Sequence, residues 1–229
     1  MSTREEFLSR VRKALGRSGE QPPAPPPLDL AGVLPPLAPS DYLSKFEAEW
    51  QKVAGVAYRV ANPTELESIL EKILAQHDVK SVVLSANPWL AELQLAQRLS
   101  RPDRPVSVWT GDTATLPAFQ KTSFTAGVGI TGVDLVLAES GTLVLSSRSE
   151  GAQMTSLAPP VHIALYRQNQ LVGSLEDVLA RLPVSPTLET APGRSVVFVT
   201  GTSRTADIEQ ILIRGVHGPR EAYAILVES

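Results

Sequence analysis

The sequence predicts an α/β fold with a mostly parallel, doubly wound sheet and an antiparallel portion, preceded by an N-terminal helix and a proline-rich linker. Strand-like and helix-like segments alternate between residues 40 and 110, which is typical of a parallel sheet covered by helices. Two β-runs at 133–138 and 142–147 are separated only by Glu139, Ser140 and Gly141. That spacing predicts a tight hairpin with Gly141 at positive φ.

The first 39 residues are expected to lie outside the main domain. Residues 3–15 have the pattern of a short amphipathic helix, with a capping box of Ser2 and Glu5 and a stop at Gly16; its apolar face consists of Phe7, Leu8, Val11 and Leu15. This helix either packs on its own domain or docks on a partner. Eight of the 19 prolines lie between Pro22 and Pro39, which favours an extended linker. The predicted division is therefore a helix at 1–19, a linker at 20–39 and an α/β domain at 40–229.

The elements of the main domain follow from hydrophobic period, caps and apolar runs. Helices are predicted at 40–55, 62–77, 88–99, 174–182 and 206–214. Strands are predicted at 56–61, 81–85, 106–110, 161–167, 195–200 and 222–228, in addition to the two strands of the hairpin. The run at 195–200 is continuous and apolar, so we expect a buried strand of the parallel sheet.

Composition excludes several classes of function. The net charge is −3 with both signs interspersed, unlike the basic stripe of a nucleic-acid-binding surface. The chain has no cysteine, which excludes disulfides, thiolate-ligated iron–sulfur clusters and a cysteine nucleophile within it. His77, His162 and His217 are far apart in sequence, so we expect no zinc site. Without a signal-peptide core or an 18-residue apolar run, we expect a cytoplasmic protein.

Two segments match known motifs in letters but not in context. GVGITG at 127–132 fits the dinucleotide pattern GxGxxG, but a strand rather than a helix is predicted after it, so we interpret it as a glycine-rich entry into that strand. GTSRT at 201–205 resembles the nucleophile elbow GxSxG. It lacks the final glycine that the strained turn requires, so Ser203 is not predicted to be a nucleophile.

The segment 201–220 is the main candidate for ligand binding. A loop after an apolar strand and before a predicted helix would lie where ligands bind in open parallel sheets, with the helix N-terminus suited to an anion. The arginine of this loop adds a fork that matches carboxylate or phosphate. The alternative is that the loop only caps the helix and its arginine is solvated. The candidate anion ligands are Gly201, Thr202, Ser203, Arg204, Thr205, Arg214, His217 and Arg220.

A second candidate lies in and after the predicted hairpin. Glu139 stands at its mouth among apolar residues, where a partly desolvated carboxylate could act as base or nucleophile. An exposed turn glutamate is the alternative. The loop SRSEGAQ at 147–153 follows the second strand and offers Arg148 and Glu150 as possible ligand contacts.

Three stretches together resemble the lactate-utilisation protein C family, which is defined by the LUD domain. They are GITGVDLVLAESGTLVL at 129–145, PPVHIALYRQNQLVGSLEDVL at 159–179 and GTSRTADIEQILIRGVHGPREAYAILVE at 201–228. The resemblance covers residues 40–229 and is most specific after Gly127.

This resemblance implies a fold like that of the NagB, ribose-phosphate isomerase and CoA-transferase group. It also implies a role in oxidising L-lactate to pyruvate with two partner proteins that carry the iron–sulfur clusters, and therefore no cofactor in this chain. The alternative is an independent CoA-transferase-like or sugar-phosphate-isomerase-like enzyme that uses Glu139. In that case Glu139-Ser140-Gly141 would correspond to the Glu-Asn-Gly turn of CoA-transferases, with Ser140 in place of asparagine.

Overall fold

The computed structural model describes residues 3–16, 26, 37–182, 195–206 and 212–228. The chain divides into two units, residues 1–36 and 37–229. In the first unit, helix α1 (Arg4–Ala14) confirms the predicted helix. Its capping box is formed by Thr3 and Glu6, one residue later than predicted. Most of the predicted linker lies outside the described residues.

The second unit alternates strands and helices as the sequence predicts. Its helices are α2 (Tyr42–Lys52), α3 (Pro63–Gln76), α4 (Pro88–Glu92), α5 (Leu95–Leu99), α6 (Leu116–Thr125), α7 (Ser147–Glu150), α8 (Met154–Leu157) and α9 (Leu175–Arg181). Its strands are β1 (Val56–Val60), β2 (Val82–Leu84), β3 (Val106–Val108), β4 (Val128–Thr131), β5 (Leu135–Leu137), β6 (Thr142–Ser146), β7 (Val161–Tyr166), β8 (Leu171–Val172), β9 (Val196–Val199), β10 (Arg204–Ala206), β11 (Leu212–Arg214) and β12 (Glu221–Val227).

The central sheet is parallel, with strand order β1-β12-β7-β4-β2-β3. Every residue of β2, β4 and β7 is buried, because apolar layers cover both faces. Helices α3, α4 and α5 contribute to one layer. On the other face, α2 and a smaller sheet form the second layer. The predicted fold class, a mostly parallel α/β sheet, is therefore confirmed.

The smaller sheet, with order β8-β5-β6-β9, is the predicted antiparallel portion. Strands β5 and β6 pair antiparallel, and Gly141 in the turn between them has φ +61°. A side chain there would collide with the backbone of α2, since a Cβ added to Gly141 would lie 2.5 Å from the nitrogen of Trp50. The turn glycine is thus needed both for its φ and for close packing.

The strand predicted at 195–200 is confirmed as β9, but its predicted place in the parallel sheet is wrong. Strand β9 pairs antiparallel with β6 at the edge of the smaller sheet, and Val196 and Phe198 are exposed. Where a helix was predicted at 206–214, Ala206 ends β10 and Leu212–Arg214 form β11, and the two strands pair as a ribbon; residues 207–211 lie outside the described residues.

The physical reason is a set of backbone bonds at the base of this ribbon. Ser203 donates its N–H to the carbonyl of Pro219 and accepts from the N–H of Gly215. A nine-residue helix would hold its ends about 13 Å apart, which is incompatible with residues 203 and 215 being hydrogen-bonded neighbours. The helix predicted for this segment was therefore overridden by strand pairing of Ala206 with Leu212.

The helix predicted at 88–99 is also divided in two. Gln94 adopts a left-handed conformation with φ +56° between α4 and α5, so the chain bends there.

Candidate functional site

The chain reverses its direction of winding between β2 and β4. From β2 it moves outward to β3, then crosses back to β4, and β7 and β12 extend the sheet on that other side. In open α/β sheets, the carboxyl ends of strands at such a switch point form the ligand crevice.

Glu150 fills the bottom of this crevice. Its carboxylate accepts hydrogen bonds from Ser85 Oγ at 2.5 Å and Asn87 Nδ2 at 2.5 Å, both just after β2. It also accepts from the backbone N–H of Gly132, just after β4, at 2.9 Å. The side chain therefore joins the two strand ends, and we call the three donors of Ser85, Asn87 and Gly132 the donor cradle.

The donor cradle depends on local sequence at each strand end. Asn87 also caps α4, because its Oδ1 accepts from the N–H of Trp89 at 3.0 Å, and this second bond fixes which end of the amide faces Glu150. Gly132 must lack a side chain, since a Cβ added there would lie 2.2 Å from Asn87 Nδ2. The three donors are therefore held in place by capping and close packing.

Glu150 has a buried carboxyl group that pairs with no cation among the described residues. It is 2% exposed, its donors are neutral, and no ion pair involves it in the described part of the chain. Burial raises the pKa of Glu150, and the nearby Asp134 carboxylate adds to that rise, whereas the bonds from Ser85, Asn87 and Gly132 oppose it.

This pKa shift predicts a pH-dependent difference in stability between the wild type and Glu150→Gln. A pKa raised in the folded state stabilises the protein fully below the unfolded pKa, and the stabilisation is lost as pH rises through the folded pKa. The unfolding free energy of wild type relative to Glu150→Gln should therefore fall as pH rises from about 4, the ordinary glutamate pKa, through the raised pKa of the folded state. Urea unfolding across this range measures it, and a difference that is constant or rises with pH would show that the folded pKa is not raised.

A cavity of about 900 Å³ opens next to the donor cradle, beyond the carboxyl ends of β2, β3 and β4. Its size is in the range of small-molecule sites. The polar lining comes from the loop after β4 and from the turn of α7, and the apolar lining comes mainly from the segments after β2 and β3. The lining residues are Ala86, Pro88, Trp109, Gly111, Leu116, Asp134, Ser147, Arg148, Ser149, Gly151 and Ala152.

Hydrogen bonds position the polar side of the cavity. Asp134 Oδ2 accepts from the N–H of Ser146 at 2.6 Å and from Ser149 Oγ at 2.8 Å. No donor among the described residues reaches its other oxygen, which remains available to a ligand. Gly151, with φ +72°, packs against the indole of Trp109, where a Cβ would lie 2.3 Å from Cδ1. Arg148 is exposed and is the cation among the lining residues.

Comparison with known proteins shows the family. Residues 43–227 match the family profile described as LUD domain. The chain belongs to the LUD domain family. The resemblance inferred from the sequence is thereby confirmed.

Relatives match this LUD domain protein over nearly its whole length. A lactate utilization protein C of Shouchella clausii is 30% identical over 100% of this chain and 99% of its own. Its counterpart of Deinococcus radiodurans is 28% identical over 97% and 94%, and that of Bacillus subtilis is 27% identical over 99% and 97%. A crystal structure of a DUF162 family protein from Deinococcus radiodurans has the same fold, with a TM-score of 0.56, 21% identity, and coverage of 84% of this chain and 99% of the other.

The candidates at 201–220 lie away from the cavity of this LUD domain. Gly201 packs against Val53, and Thr202 is buried. Strand pairing sets Arg204 directly opposite Arg214. The helix N-terminus predicted at residue 206 is absent, because β10 ends there. It therefore cannot supply the N–H groups expected for an anion site. Anion binding stays a prediction for all eight candidates, which are Gly201, Thr202, Ser203, Arg204, Thr205, Arg214, His217 and Arg220.

Arg220 and His217 do not return to a crevice at the carboxyl ends. Arg220 comes directly before β12 and lines a cavity of about 400 Å³ at the amino ends of the strands, together with His77 and Lys80. His217 is exposed in the turn after β11. Because all strands of a parallel sheet run in the same direction, residues that precede the strands and residues that follow them lie at opposite ends of the strands.

Glu139 has a structural contact. Its Oε1 accepts from the N–H of Leu175 at 2.8 Å, and it thereby adds to the cap that Ser174 provides for α9. It does not line the cavity beside the donor cradle. Its catalytic role stays a prediction.

The described histidines are dispersed, as their spacing suggests. His162 lies within the central sheet, where its Nε2 is 2.8 Å from Thr131 Oγ1 and burial lowers its pKa to about 4. No group of three metal-binding side chains occurs in the described part of the chain. Among those same residues, no helix is long and apolar enough to cross a membrane.

Sequence reasoning identified Arg148 and Glu150 as possible contacts but missed Ser85, Asn87, Trp109 and Asp134. The signal for Ser85, Asn87 and Trp109 was their position at, or just after, the carboxyl end of a predicted strand of the parallel sheet. It was not decisive, because the order of the strands, and hence the switch point, cannot be deduced from one sequence.

Proposed function

We propose that this LUD domain protein acts in lactate utilisation by binding a small hydroxy- or oxo-carboxylate, such as L-lactate or pyruvate, in the cavity beside the donor cradle. The observation that carries the proposal is the meeting of Arg148, Asp134 and two serines at the switch point of the sheet. The names of the relatives support the ligand class, since each is a lactate utilization protein C.

The lining matches the chemistry of such an acid. The guanidinium of Arg148 neutralises the carboxylate of the ligand. The available oxygen of Asp134 accepts from a hydroxyl group, and the Ser147 hydroxyl donates to a carbonyl. The walls formed by Trp109 and Leu116 contact the methyl group, which excludes water from that side of the ligand.

In this proposal, oxidation itself depends on two partner proteins with iron–sulfur clusters. The chain has no cysteine and cannot supply thiolate ligands, which are the usual ligands of such clusters. It therefore acts as an accessory subunit that binds the acid while partners carry the electrons.

The paired arginines of the β10–β11 ribbon suit a partner with an acidic surface. Both side chains are exposed, and cross-strand pairs on one face of a ribbon lie about 5 Å apart at Cβ. Two like charges at that distance repel each other, and a carboxylate placed between them removes the repulsion.

Substituting both arginines by alanine should weaken the binding of an acidic partner by about tenfold and reduce its salt dependence, because charges at the rim of an interface steer association. Affinity for the two iron–sulfur proteins, measured at several salt concentrations, checks this. The exposed Arg101→Ala variant is the control. Equal affinity of both variants would exclude the ribbon from the interface.

The function is tested by titrating the purified protein with L-lactate and pyruvate, and by deleting its gene in the source organism. Saturable binding of either acid and loss of growth on L-lactate are expected. If neither acid binds and the deletion strain grows normally on L-lactate, the proposed function is wrong.

A further inference from the structure

We propose that the donor cradle is the carboxylate-binding subsite of the cavity, and that Glu150 occupies it as an internal substitute in the ligand-free protein. This inference rests on the proposed function and assigns the position of the carboxylate of the bound acid. The ligand class is a small monocarboxylate, and binding exchanges one carboxylate for another.

The first argument is the chemistry of the donors. A hydroxyl, a side-chain amide and a backbone N–H from the ends of two neighbouring strands converge on two oxygen atoms. Such an arrangement binds a carboxylate of any origin, because it contacts only the carboxylate group. It also lies at the switch point, where this class of sheet binds its ligands.

The second argument is that Glu150 is poorly compensated where it lies. Its carboxylate is buried beside Asp134 and pairs with no cation among the residues that the structure describes, and a buried charge lacking a partner is costly. Exchange with a ligand carboxylate leaves the hydrogen bonds of the donor cradle intact. It also releases the Glu150 carboxylate from the protein interior towards the cavity, while Arg148 of the cavity lining neutralises the carboxylate of the ligand.

The third argument is that Glu150 belongs to a short segment that both closes the donor cradle and lines the cavity. Helix α7 is a single turn of four residues, and Gly151 directly after it has φ +72° and ψ −109°. Ser147, Arg148, Ser149 and Gly151 of the same segment line the cavity. A rotation of this turn therefore connects the donor cradle with the ligand space, and glycine permits the backbone change.

The test compares ligand binding by wild type, Glu150→Ala and the double variant Glu150→Ala/Ser85→Ala. Without its internal competitor, Glu150→Ala should bind L-lactate about tenfold more tightly than wild type, since the binding-competent state no longer has to be populated first. It should also bind acetate saturably and in competition with L-lactate. Adding Ser85→Ala should weaken the binding of both acids by about tenfold or more, as expected for loss of one hydrogen bond to a charged group.

Two further variants keep this test decisive. Glu150→Gln retains the side-chain volume and should also bind L-lactate more tightly. The NH₂ group of its amide faces the donors of the cradle, so the side chain competes less well with a ligand carboxylate. This variant replaces Glu150→Ala if Glu150→Ala does not fold. Glu67→Gln, which removes a carboxylate ion-paired with Arg98 outside the site, should bind as wild type does.

Failure of this inference differs from failure of the proposed function. Wild-type affinity for L-lactate in both Glu150 variants, or acetate binding that does not compete with L-lactate, overturns the donor cradle as the ligand subsite even if wild type binds lactate. Conversely, acetate binding to Glu150→Ala that depends on Ser85 supports the cradle even if no form of the protein binds L-lactate or pyruvate, in which case the proposed ligand class is wrong.

Discussion

Arg148→Ala is expected to weaken the binding of L-lactate and pyruvate by about tenfold or more, because charge-assisted hydrogen bonds contribute roughly 1.5–3 kcal/mol each. Arg148 is exposed at the cavity, so its loss removes charge without opening the core. Arg148→Lys should restore only part of the affinity, since an ammonium group cannot form the two parallel bonds of a guanidinium. Titration calorimetry measures both effects.

The control for Arg148 is Arg181→Ala, which removes an exposed arginine from the last turn of α9. It should leave the affinity for both acids unchanged. If Arg148→Ala retains wild-type affinity while its Tm falls, Arg148 stabilises the turn of α7 and does not contact the ligand.

Gly129→Ala is expected to destabilise the protein by about 3 kcal/mol, at the upper end of the cost of overpacking a core. A Cβ added at this central position of β4 would lie 1.8 Å from the carbonyl oxygen of Thr155. That atom belongs to the backbone of α8, so the helix itself would have to move. Tm should fall by roughly 6–12 °C for a domain of this size.

Gly127→Ala is the matched control at the start of the same strand. Its Cβ would meet the side chain of Val79 at 3.1 Å, and a side chain can adjust where a backbone carbonyl cannot. We expect a change within about 1 kcal/mol. Similar Tm values for the two variants would show that α8 shifts at little cost and that Gly129 is not required for its close packing.

These glycines explain why GVGITG imitates a dinucleotide motif. Gly129 admits α8 and Gly132 admits Asn87 and Glu150. The segment was predicted to be only an entry into the strand that follows, but residues 128–131 themselves form the central strand β4, and the reason for the glycines is packing from other parts of the chain. A glycine-rich motif indicates that another group packs closely against the backbone, but it does not identify that group.

By itself, the sequence determined the α/β class, the antiparallel hairpin with Gly141 at positive φ, and the family. Apolar periods, caps and turn residues are local properties, and a family signature is a property of the amino-acid sequence itself. Each can therefore be recognised without knowing the fold. The helix predicted at 174–182 was found in this way and is confirmed as α9, which Ser174 caps.

Only the tertiary structure decided where the candidate site lies. Residues 206–214 carry helical spacing, yet Ala206 and Leu212–Arg214 lie in paired strands, at whose base Ser203 forms backbone bonds with Gly215 and Pro219. Ser85, Asn87, Gly132 and Glu150 are separated by up to 65 positions and meet because β2 and β4 are neighbours in the sheet. Strand order is set by the packing of the whole chain, and for that reason no local pattern in the sequence could show that these residues share one crevice.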